Sequence, residues 1–71
     1  MKTMNQVKTE YIERGNRFLN LAIVKASDEV EADMLMGCKR IIDTPKKKVT
    51  LKELRCAVDI IECMAKKGEK K

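Results

Sequence analysis

Apolar residues recur at three- and four-residue steps along nearly the whole chain, and nowhere do they alternate as in a half-buried strand. This spacing predicts an all-α fold. It is clearest near the end, where Leu51, Leu54, Val58, Ile61 and Ala65 form one stripe that Ala57 and Met64 widen. Thr50 is placed to cap the amide of Glu53 while the Glu53 carboxylate returns to the Thr50 amide, and Val49 can staple onto Leu54. Lys66, Lys67 and Gly68 supply a basic last turn and a glycine stop, so a helix is expected over 51–67.

A second helix is expected over 28–43, with Val30, Met34, Cys38, Ile41 and Ile42 on its buried face. Ser27 is read as its N-cap, Asp28 and Glu29 favour the positive end of the helix dipole, and Lys39 and Arg40 favour the other end. Pro45 disfavours helical geometry at Thr44 and ends it. The first helix, 4–26, is expected to bury Val7, Tyr11, Ile12, Phe18, Leu19, Ala22 and Ile23, with Gly15 on the same face admitting another backbone. No Gly or Pro separates these two helices, and the series Ile12, Gly15, Leu19, Ile23, Ala26, Val30, Met34 continues through Ser27. One long continuous helix over both segments is therefore left open.

Five apolar residues, Leu21, Val24, Leu35, Met36 and Ile60, lie off these stripes. A chain of 71 residues is one domain with a modest core, so a second apolar face favours an interface. The expectation is a small three-helix bundle over 1–67, completed by self-association, most simply an isologous dimer, and followed by a basic flexible tail at 68–71.

Composition narrows the chemistry. Three cysteines, no histidine and no C-x-x-C pair argue against disulfide staples and the usual zinc spacings, and no metal or cofactor is expected. Reduced thiols, no apolar signal-like segment and no bilayer-length apolar run set the expectation of a cytoplasmic protein that does not enter membranes. Triads and histidine acid-base chemistry are excluded by residue type, and the isolated glycines at 15, 37 and 68 make no phosphate loop. Glu10 and Glu13, Asp28 and Glu31, and Asp59 and Glu62 superficially resemble the paired acidic helix motifs of MazG-type nucleotide pyrophosphohydrolases, all-α enzymes that hold magnesium. The second motif of that family runs Glu then Asp, the reverse of the order here. These pairs are accordingly read as charged helix faces, and no enzymatic activity is expected.

Charge alternates in blocks. Net charge is +3 over residues 1–26, −3 over 27–43 and +5 over 44–71, for a total of +5. The acidic block, with Asp28, Glu29, Glu31 and Asp33, is matched to basic neighbours in this chain, in a second copy or in another protein. Lys46, Lys47 and Lys48 precede a helix N-terminus, where the dipole disfavours cations, so local helix energetics do not account for them. With Lys52 and Arg55 they form a candidate contact for an acidic partner or a phosphate, helped by first-turn amides. No aromatic residue stands near, so nucleic acid would be held by its backbone alone.

Two functions follow. The favoured one is a non-enzymatic helical module that binds another protein as regulator or inhibitor, in the style of small charge-segregated phage and mobile-element proteins. The second is a nucleic-acid or nucleotide-phosphate binder using the basic 46–55 surface.

Overall fold

The computed structural model describes residues 1–67, so the expected tail at 68–71 and the Gly68 stop lie outside the described residues. Three helices account for most of them: α1 (Met4–Lys25), α2 (Glu29–Asp43) and α3 (Leu51–Ala65). Lys8, near the start of α1, reaches the carbonyl of Val49 at the start of α3, and Lys25, at the end of α1, reaches the carbonyl of Lys67 just past the end of α3. These two helices therefore run in the same direction, and α2 returns antiparallel to both.

Each helix begins on a side-chain cap. Thr3 opens α1 through a capping box with Gln6, which the sequence reading did not anticipate. At α3 the expected box is present: Thr50 Oγ1 accepts from the Glu53 amide at 3.1 Å and the Glu53 carboxylate accepts from the Thr50 amide at 3.0 Å. Thr50→Ala removes both bonds of the hydroxyl, that from the Glu53 amide and that to the Glu53 carboxylate, which is expected to cost about 0.5–2 kcal/mol, read as a shift of the urea midpoint at unchanged slope. The cap of α2 departs from expectation. Asp28 takes that role, its carboxylate accepting from the Glu31 amide at 2.9 Å, while Ser27 stays one residue outside.

Between α1 and α2 the backbone leaves helical geometry at Ala26, which is extended at φ −62° and ψ 127°. At the far end of α2, Thr44 is extended, its amide bonded to the Ile41 carbonyl and its hydroxyl to the Arg40 carbonyl, ahead of Pro45. Helix α3 stops at Ala65, two residues before its expected end, with the Lys66 amide donating back to Glu62 and Met64.

The core is organised around α3. Leu54, Ala57, Val58, Ile61 and Ala65 are all buried, facing Gly15, Leu19 and Ala22 of α1 and Leu35, Cys38 and Ile42 of α2. At Gly15 the three helices meet. A Cβ there would stand 2.6 Å from Ile42 Cδ1 and 3.2 Å from Val58 Cγ2. Another backbone is expected here from the sequence; what Gly15 admits instead is the Ile42 and Val58 side chains, one from each partner helix.

The buried face of α2 is rotated from the expected one. Leu35, Cys38 and Ile42 point inward, whereas Val30 and Met34 are exposed. Leu35, read from the sequence as an interface residue, is 1% exposed and belongs to the intramolecular core. Both readings keep helical spacing, since apolar side chains cover more than half of the circumference of α2, and periodicity alone does not choose between them. Ile23 of α1 was likewise placed inside and is exposed. No described helix is long and apolar enough to cross a membrane.

Candidate functional site

The basic segment sits on a structured turn. Pro45 accepts from the amides of Lys48 at 2.8 Å and Val49 at 3.2 Å, which closes residues 46–48 into a compact turn ahead of α3. Val49 is buried and anchors it. Lys8 pins the turn from α1, its ammonium donating to the carbonyls of Lys46 at 2.8 Å and Val49 at 2.7 Å. This tie, which links residues about forty positions apart, is invisible to local sequence patterns.

Lys46, Lys47 and Lys48 are thus presented outward and exposed, and none forms an ion pair among the described residues. Lys52 and Arg55 are also exposed, beside Leu51, Cys56 and Asp59 along an open concavity. The expected anion site at the first turn of α3 is altered by the cap. The Glu53 carboxylate, held by the Thr50 amide and hydroxyl and so kept below its ordinary pKa, occupies the helix N-terminus. A phosphate approaching there would meet a negative charge beside the lysine turn.

The acidic surface divides in the same way. Asp28 is spent on the cap, and Glu31 on a clamp that joins all three helix ends. Glu31 accepts from the Ser27 amide at 2.7 Å, the Ser27 hydroxyl at 2.9 Å and the Lys67 ammonium at 2.6 Å. The Lys67 bond and then the two Ser27 bonds favour the ionised carboxylate and hold its pKa down at about 2. Glu29 and Asp33 remain exposed and without an ion pair among the described residues.

A pH prediction follows from the clamp. Because the folded pKa of Glu31 lies below its ordinary value of 4.5, its stabilising contribution is complete above that value and is lost as pH falls toward about 2. Wild type should lose melting temperature across this window more steeply than Glu31→Gln, and the two curves should converge at its acid end.

Other carboxylates are committed within the chain: Glu10 to Lys2 and Glu62 to Arg14. Among the described residues, no three His, Cys, Asp or Glu side chains converge closely enough to hold a metal ion. Cys38 is buried, and burial pushes its thiol pKa up, whereas Cys56 and Cys63 are exposed and unpaired.

The apolar interface residues expected from the sequence are not all left open to a partner. Leu21, Val24 and Met36 are exposed, Leu35 is in the core, and Ile60 is half-buried against it. At about 100° per residue, Leu21 and Val24 lie away from the buried face of α1. What sequence reading missed is Val30 and Met34, exposed in succession along α2. Comparison with protein-family models, with curated proteins and with solved structures finds no match.

Proposed function

We propose that this chain is a non-enzymatic helical interaction module that associates with itself and, through its charged surface, regulates or inhibits a partner protein. The observation that carries this reading is the amount of apolar side chain left in solvent. Val24 is 79% and Val30 68% exposed, and Leu21, Ile23, Met34 and Met36 are each between 44% and 49% exposed.

The charge layout supports a protein partner as well. Glu29 and Asp33 on α2 and the 46–48 lysines before α3 are presented at separate places, each available to a complementary surface. A second reading, a backbone-contacting nucleic-acid or nucleotide-phosphate binder, draws on Lys46, Lys47, Lys48, Lys52 and Arg55. It is weakened by the Glu53 carboxylate at the helix terminus.

Size-exclusion chromatography with light scattering, read also at 260 nm, separates the two. The proposed module elutes as an oligomer without 260 nm absorbance, which is easily seen for a chain with one tyrosine and no tryptophan. Co-eluting nucleotide or nucleic acid, released by raised salt, would replace it with the second reading.

A further inference from the structure

Helix α2 carries an outward stripe that the protomer covers only at its Ile41 end, where that side chain packs against the core. Val30, Met34, Gly37 and Ile41 follow one another at steps of four, three and four, one face of a helix. Val30 and Met34 are exposed, Ile41 is half-buried, and nothing lies within 4 Å of the place where a Cβ on Gly37 would stand. Glycine weakens a helix interior relative to alanine, so Gly37 is a cost for which the protomer shows no return. Gly15, by contrast, is explained by the neighbours it admits.

Two opposite charges flank this stripe. Asp33 and Arg40 each follow a stripe position by three residues and stand seven apart, so they lie on one side of it, two turns from each other. Both are exposed, and neither forms an ion pair among the described residues. Asp33 is four residues before Gly37 and Arg40 three after it. Reversing the helix about Gly37 therefore brings acid opposite base and Met34 opposite Ile41, each to within one residue, which makes the face complementary to itself.

From this we infer that a second copy of the chain covers the α2 stripe, its own α2 antiparallel and crossing at Gly37, with Asp33 of each protomer against Arg40 of the other. The inference rests on the self-associating reading above and names its surface. The contact is isologous, as two-fold symmetry requires, so each pairing occurs twice. Glycine at the crossing lets the two backbones approach closely, and the flanking charges fix the antiparallel order, as flanking charges do in coiled coils.

Sedimentation equilibrium of the full chain tests it. In Asp33→Arg and in Arg40→Asp each contact juxtaposes like charges, and the dimer dissociation constant should rise about tenfold or more. The double variant restores opposite pairs and should return to near the wild-type constant, with a similar salt dependence. Gly37→Leu should abolish dimerisation while circular dichroism stays that of the folded protomer, since space around that position is open; Gly37→Ala should weaken the dimer by less. If wild type associates but none of these variants changes its constant, the dimer uses another face: the inference fails and self-association stands. Weakened single variants without rescue in the double would overturn the antiparallel register. A wild-type monomer at every concentration would overturn both the inference and self-association.

Discussion

Leu54→Ala should remove a large part of the protein's stability. Leu54 is fully buried in the α3 face around which the other two helices pack, and it is among the largest side chains with no exposure. Truncating a buried leucine costs its transfer free energy and leaves a cavity, together about 2–5 kcal/mol. A chain of this length has a total of about 4–10 kcal/mol to lose. The melting temperature should fall by about 10–30 °C, followed by circular dichroism. Asn20→Ala is the matching control: exposed on α1 and outside the apolar surface, it should stay within about 0.5 kcal/mol of wild type. Equal effects of the two substitutions would mean that α3 is not the centre of the core.

Gly15→Leu should be comparably damaging for the opposite reason. A side chain at this position points into Ile42 and Val58, and the first carbon already stands 2.6 Å from Ile42 Cδ1. Overfilling a packed site costs about 1–3 kcal/mol, and leucine brings three further carbons to a point where α1, α2 and α3 meet. A loss at or above the upper end of that range is expected, again read from chemical denaturation. Gly15→Ala should be much milder. Its clash is with the movable end of an isoleucine, and alanine gains about 1 kcal/mol of helix propensity over glycine. Ile42→Val removes the clashing methyl, so the Gly15→Ala/Ile42→Val pair should be more stable than the sum of the single changes, a coupling that a double-mutant cycle measures.

These residues also show what the sequence could and could not reveal. Helix α3 was legible almost completely, because cap, stripe and burial agree: Thr50 and Glu53 close the box, and Leu54, Val58, Ile61 and Ala65 are inside. Gly15 was legible too, as a glycine on an apolar face. The orientation of α2 was not. Val30, Met34 and Ile41 compete with Leu35 for a place beside Cys38 and Ile42, which both readings bury, and with Ile42 packed against Gly15 it is Leu35 that turns inward. With that rotation, Leu35 moves into the core and Val30 and Met34 move out. The candidate contact surfaces changed for a related reason. Which carboxylates remain for a partner depends on tertiary neighbours: Lys67 takes Glu31, Arg14 takes Glu62, and Glu53 covers the helix terminus that the lysine turn adjoins. Sequence spacing identifies the charges but not the long-range ties that spend them.

Association of a second copy, as proposed above, would complete the uncovered apolar surface of this small bundle. Its most direct test is the melting temperature of wild-type protein measured over a wide range of protein concentrations. Association of the folded form alone shifts the folding equilibrium by mass action, so the melting temperature should climb steadily with concentration. A melting temperature that stays constant across the whole range would contradict the account and leave the three helices as a self-sufficient monomer.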